Sequence, residues 1–159
     1  MPQPSKEGSP ATAGVVAPPP LVYAVPLGVG LLLQRWHPLH VLTPTAATIV
    51  GIVCVSLGLV GFPAILAFHR AHTSPQPWVP STALVTSGPY RFTRNPMYLG
   101  FTLLYVGVAF WANAGWPLLL LPLVLVVMHY GVIVREEAYL ARTFGQDYER
   151  YRQRVRRWL

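Results

Sequence analysis

The sequence predicts an all-α, polytopic membrane protein, and three observations carry that reading. Hydrophobic residues make up 53% of the 159 positions and charged residues only 11%, with a mean hydropathy of +0.42. Soluble domains carry charge on about a quarter of their residues, so this chain has too little polar surface to cover a water-soluble globule. The charges are also segregated, and residues 97–134 contain none. At ~1.5 Å per residue that run is too long for one bilayer crossing and suits two short helices.

Residues 1–20 are rich in Pro, Ala, Gly and Ser and read as a disordered tail ahead of a membrane domain over 21–159. Ala11-Thr12-Ala13 precedes the apolar stretch, where a signal-peptide cleavage site would follow it. A first span is expected over 21–33, short and kinked at Pro26. A second is expected over 45–68, where Gly51, Gly58 and Gly61 offer flat faces for close packing. The third and fourth, over 97–112 and 117–134, are separated by Asn113-Ala114-Gly115-Trp116-Pro117. Gly and Pro end helices there, and Trp prefers the interface.

Residues 136–158 read as an amphipathic cytoplasmic helix. Phe144, Tyr148, Tyr151, Val155 and Trp158 fall on one face, and Gly145 breaks it before a restart that Asp147 stabilises. This face reads as a surface anchor, with Tyr148 and Tyr151 as packing and interface residues. The arginines between the aromatics are expected to face headgroups or solvent.

The net charge of +7 would raise nucleic acid as a partner in a soluble protein. Here the arginines obey the positive-inside pattern, so the expected partner is the membrane and not nucleic acid. Arg70, Arg91 and Arg94 lie between spans two and three, and seven more arginines follow residue 134. The turn between spans three and four has none. Both termini are therefore expected in the cytoplasm, and the small size suggests a bacterial inner membrane. Cys54 is the only cysteine, cannot form an internal disulfide, and reads as a small packed hydrophobe. His69 and His72 have helical spacing but no nearby Cys or carboxylate, so no metal site is expected.

Residues 88–100, GPYRFTRNPMYLG, carry most of the functional information. They stand at the mouth of the apolar hairpin, which ends at Arg135-Glu136-Glu137, the one adjacent acidic pair in the chain. Two arginines and two carboxylates are thus brought to one membrane surface. Isolated charges are costly near hydrocarbon, so the grouping points to a polar site at the interface.

GPYRFTRNPMYLG, an apolar hairpin, REEAYL and FGQDYERYRQRVRRWL, in that order, resemble the isoprenylcysteine carboxyl methyltransferase family. Its small bacterial members and the related phospholipid methyltransferases share the pattern most closely. The resemblance covers residues 84–159 and reaches more weakly into 70–80. It implies a membrane enzyme that uses S-adenosylmethionine. Arg94, Pro96, Tyr98 and Gly100 match the motif region that shapes the family's cofactor pocket. Glu136 and Glu137 match its Glu pair, tied to cofactor binding and catalysis. Asn95 stands where His is common, and Asn cannot titrate near neutral pH. The expected catalytic residues are Arg94 and Glu137. The expected cofactor-binding residues are Tyr90, Arg94, Asn95, Pro96, Tyr98, Gly100, His129, Glu136 and Glu137.

The chemistry of these side chains agrees. Arg can hold a carboxylate by two points, and Glu can accept from ribose hydroxyls or attract an ammonium. The faces of Tyr90 or Tyr98 can sit against a sulfonium. Pro96 stiffens the start of span three, and Gly100 permits close approach. An amine acceptor must lose a proton, with Glu136 or Glu137 as the base. His129, inside span four, either lines the pocket or hydrogen-bonds across the bundle. The acceptor is expected to be lipophilic, because a small bundle has no soluble substrate domain. Two rival readings are a nicotinamide-dependent membrane reductase, since some sterol reductases resemble this architecture, and a helical membrane protein without enzymatic activity.

Overall fold

The computed structural model of the chain describes residues 12–59 and 61–158. It is 70% helical, with no strand among the described residues. The helices are α1 (Pro19–Trp36), α2 (Pro44–Gly58), α3 (Gly61–Arg70), α4 (Pro96–Trp111), α5 (Gly115–Met128), α6 (Val134–Phe144) and α7 (Gln146–Arg154). A 3-10 turn (Gly88–Arg91) precedes α4, and a π turn (His129–Ile133) joins α5 to α6.

Prolines start α1, α2 and α4 because the first helical N–H needs no partner and the ring pre-sets φ. The first helix is longer than the expected span, running 18 residues through Pro26. Two runs are long and apolar enough to cross a membrane, Pro44–Arg70 and Gly115–Phe144, while Pro96–Trp111 is shorter. Val25, Val29, Leu32, Ile52, Leu57, Leu119 and Leu123 are all exposed. That apolar exterior is the surface an integral membrane protein presents to lipid.

The bundle pairs α2 with α4 and α1 with α5, and α4 also touches α1 and α3. The α2–α4 seam is built on small residues. A Cβ at Gly51 would lie 2.6 Å from the backbone N of Trp111, and one at Gly100 would lie 2.8 Å from Gly61 Cα. Backbones this close maximise dispersion where lipid removes the hydrophobic drive. Tyr23, Tyr98, Tyr105, Val124, Met128, Val132 and Ile133 fill the core. Their polar atoms are satisfied: Tyr105 Oη donates to Pro117 O at 2.8 Å, and Tyr23 Oη lies 2.9 Å from Thr102 Oγ1.

The expected tail over residues 1–20 lies outside the described residues up to residue 11. From residue 12 the chain is tied down. Ala13 is buried and its N–H reaches Pro77 O, while Val16 N–H reaches Gly131 O at 3.0 Å. The wide π turn explains the second bond, because such a turn leaves a carbonyl without a donor of its own helix. The expected helix over 136–158 is two helices broken at Gly145, which has φ +52°. It ends at Arg154, and Val155 is extended.

Candidate functional site

Pro96 ends the irregular segment before α4, and the residues just ahead of it are pinned by the chain after α7. Thr93 Oγ1 and Asn95 Nδ2 both donate to Arg157 O, at 3.1 and 2.9 Å, and Arg94 N–H donates to Arg156 O at 2.9 Å. Asn95 is therefore a buried clip between two segments, which fits a residue that cannot titrate. Tyr151 Oη donates to Tyr90 O at 2.8 Å and fixes the 3-10 turn in the same way.

These ties shape a cleft of about 800 Å3, counting the space at its mouth. One wall is the irregular stretch over residues 74–85, held by Ser81 N–H on Tyr139 Oη at 3.0 Å. Phe68, Met97, Ile133 and Leu140 make an apolar side, while Arg94, Glu136 and Glu137 make a polar one.

Glu137 sits between two guanidinium groups. Arg157 holds both of its oxygens, Nε to Oε1 at 2.9 Å and Nη2 to Oε2 at 2.7 Å. Arg94 approaches Oε1 with Nη1 at 3.3 Å, and the same Nη1 donates to Tyr148 Oη at 3.3 Å. The side chains of Arg94 and Glu137 are only 10% and 13% exposed. At that depth a lone charge would be costly, and the three groups compensate one another. Arg94 Nε is buried and has no hydrogen-bond acceptor among the described residues.

Glu136 makes a different contact. Tyr98 Oη donates to its Oε1 at 2.6 Å. Burial lifts its pKa from the ordinary 4.5 to about 7, against the lowering effect of the Tyr98 bond and with help from the Glu137 charge. Burial also pushes the Tyr90 phenol well above its ordinary value, with the neighbouring Glu136 carboxylate adding to the effect. Tyr148 and Tyr151 rise for the same first reason, and Arg94 pulls back on both. All three phenols are therefore neutral hydrogen-bonding groups at neutral pH.

Of the residues named from sequence, Tyr90, Arg94, Asn95, Tyr98, Glu136 and Glu137 line the cleft together. Three do not. Pro96 is buried in packing at the start of α4, and Gly100 faces Gly58 and Gly61 across the helix seam. His129 lies on the π turn, edge-on to Tyr130 with ring centres 4.7 Å apart, and among the described residues it neither lines the cleft nor bonds across the bundle. Sequence reasoning missed Arg157, and it treated Tyr148 and Tyr151 as packing residues although both line the cleft. It also missed most of the 74–85 wall, which has no periodicity to read.

The sequence model of the family described as "Phospholipid methyltransferase" matches residues 46–147. The chain belongs to the phospholipid methyltransferase family. The matched region runs from α2 into α7 and includes Arg94 and the Glu pair. Over 72 residues, 45% of this chain, the sequence is 40% identical to Protein-S-isoprenylcysteine O-methyltransferase of Schizosaccharomyces pombe. That match covers 30% of the yeast protein's length. Over 63 residues, 40% of this chain, it is 38% identical to an uncharacterized protein of Haemophilus influenzae, all of which is covered. No solved structure matches the chain.

Proposed function

We propose that this protein is an integral-membrane methyltransferase that takes its methyl group from S-adenosylmethionine and delivers it to a lipophilic acceptor. One observation carries the reading: Arg94 lines the cleft, and its buried Nε N–H has no acceptor among the described residues. A buried donor without an acceptor costs about 1–3 kcal/mol, so an anionic group in the cleft relieves a real deficit. The other groups present fit the same donor molecule. Glu136 suits ribose hydroxyls or an ammonium, and the rings of Tyr90 and Tyr98 suit a sulfonium.

When bound, the donor supplies an electrophilic methyl group on sulfur. The chain's own work is alignment for an in-line displacement. Arg94 fixes the anionic end of the donor. Glu137 acts through Arg94, since both of its oxygens are taken up by guanidinium groups. Glu136 is the group free to take a proton from an amine acceptor, and a pKa of about 7 suits that task. A carboxylate or thiolate acceptor would need no base.

The chain crosses the bilayer four times with both ends cytoplasmic, by the arginine bias. On that reading the cleft opens at the cytoplasmic face of an inner membrane. The acceptor arrives sideways from the bilayer along the apolar side of Phe68, Met97 and Leu140.

The test is transfer of labelled methyl from S-adenosylmethionine into a total lipid and metabolite extract by the purified protein in nanodiscs. Label in a lipophilic product supports the reading. No transfer, together with thermal stabilisation by NADPH in place of S-adenosylhomocysteine, would replace it with a reductase.

A further inference from the structure

Residues 13–16 belong to the cleft although they precede the first helix. Ala13 is buried and stands in the cleft lining. From there the segment crosses from one wall to another. Ala13 N–H donates to Pro77 O at 3.2 Å on the irregular wall. Arg135 Nη1 donates to Gly14 O at 2.9 Å from the start of α6, and Val16 N–H donates to Gly131 O at 3.0 Å on the π turn. Gly14 makes the crossing with φ +60°, a conformation that glycine adopts without strain.

The attachment is thin. Besides these three hydrogen bonds, Val15 touches the bundle core. No helix includes the segment, and Gly14, Val16 and Arg135 are exposed. An exposed hydrogen bond is readily exchanged for one to water. Because α1 begins at Pro19, residues 17–18 give a hinge about which the segment can lift without unwinding a helix. Its footholds also adjoin polar lining residues: Pro77 follows Gln76, and Arg135 precedes Glu136. The apolar side of Phe68, Met97 and Leu140 is formed by other elements.

We propose that residues 13–16 form a latch over a polar entrance to the cleft, which lifts to admit the methyl donor and to release its spent form. The inference rests on the cleft being the donor site. It gives the two substrates separate routes: the charged donor passes beneath the latch, and the lipophilic acceptor uses the apolar side. The latch holds the walls together by backbone bonds that need no ligand. Its strength therefore sets how fast the donor exchanges, and not how tightly it binds.

The test is the rate of S-adenosylhomocysteine exchange on the full chain in nanodiscs, with association and dissociation measured separately. Arg135→Ala should speed both by about fivefold, as for one exposed hydrogen bond from a charged group. The affinity should change by less than about twofold. The opposite change is a lock. A Cβ at Gly131 would lie 3.5 Å from Val16 Cβ, within the spacing of about 3.5–4.5 Å found in disulfides. Val16→Cys with Gly131→Cys, in a Cys54→Ala background, should therefore join the segment to the π turn. The oxidised form should exchange about tenfold or more slowly, since a cross-link outweighs a single hydrogen bond. A reductant should restore fast exchange, and the Cys54→Ala parent should not respond to it.

Equal rates in the oxidised and reduced forms, or a loss of affinity in Arg135→Ala at an unchanged association rate, would make the segment a fixed wall. Either result overturns the latch and leaves the donor site standing. Failure of the paired substitutions to cross-link in a folded protein would contradict the seat of the segment and overturn it as well. Failure of the wild type to bind S-adenosylhomocysteine would overturn the donor reading itself, and the latch with it.

Discussion

The two ends of the bundle solve opposite problems. At one end the turn between α4 and α5 meets the loop over residues 37–43, and polar demand is met by neutral groups. Asn113 Oδ1 accepts from Val41 and Leu42 N–H at 3.0 and 3.2 Å, and its Nδ2 donates to Leu42 O at 2.8 Å. Trp116 Nε1 donates to His37 O, and Gly115 N–H to Leu39 O. At the other end stand two arginines, two glutamates and several buried phenols, with one buried N–H left over. The first end closes a turn. The second holds charge in place and stays incomplete. Among the described residues Arg94 Nε is the one buried side-chain polar atom without a partner, and the proposed ligand site rests on it.

The comparison can be broken by moving the defects. The largest effect is expected at the helix seam that keeps the ends apart. Gly100→Val puts a side chain where a Cβ alone would lie 2.8 Å from Gly61 Cα and 2.9 Å from Gly58 O. The two backbones must part, costing about 3 kcal/mol, read as a lower midpoint in chemical or thermal unfolding. Next is the neutral end. Asn113→Ala leaves several backbone groups without partners and should cost about 1–3 kcal/mol of stability. Its affinity for S-adenosylhomocysteine should match the wild type.

A smaller effect is expected from Glu136. Its folded pKa, near 7, is raised above the ordinary 4.5. The stability it contributes is fully present below 4.5 and lost as pH rises through 7. Ligand binding should show the opposite slope, because only the ionised form attracts an ammonium. Affinity should therefore rise with pH up to about 7, by at most about tenfold per unit. Glu136→Gln should flatten both profiles. A pH-independent affinity in the wild type would remove Glu136 from the donor site.

The smallest effect per step concerns the acceptor. If it enters along the apolar side of the cleft, each added methylene should contribute about 0.8 kcal/mol until the groove is full. Methyl transfer across a homologous series, corrected for partitioning into the bilayer, checks this. Equal rates for short and long acceptors would point to an aqueous opening instead.

Much of this contrast was legible before any coordinates. Asn113 to Pro117 announced a break because Gly and Pro end helices. Arg94, Tyr98 and the Glu pair announced a site because charge beside long apolar runs needs a partner. What escaped notice had no local signal. Helical periodicity carries Arg157 outward, and only the stop at Arg154 and the extended Val155 turn it in. The wall over residues 74–85 is irregular and packs through distant partners such as Tyr139. His129 reads as lining the pocket or bonding across the bundle, because a histidine inside a span faces a polar cavity or a partner helix, but it sits on the π turn outside the cleft lining. Gly100 and Pro96 belonged to the motif for their shape, and their place is in packing.

The most direct test of the account is S-adenosylhomocysteine binding to the wild type, Arg94→Ala and Asn113→Ala, measured side by side in nanodiscs. The account predicts saturable binding to the wild type, an unchanged affinity in Asn113→Ala, and a loss of about 1.5–3 kcal/mol in Arg94→Ala. Unchanged binding in a folded Arg94→Ala, or an equal loss in both variants, would contradict it.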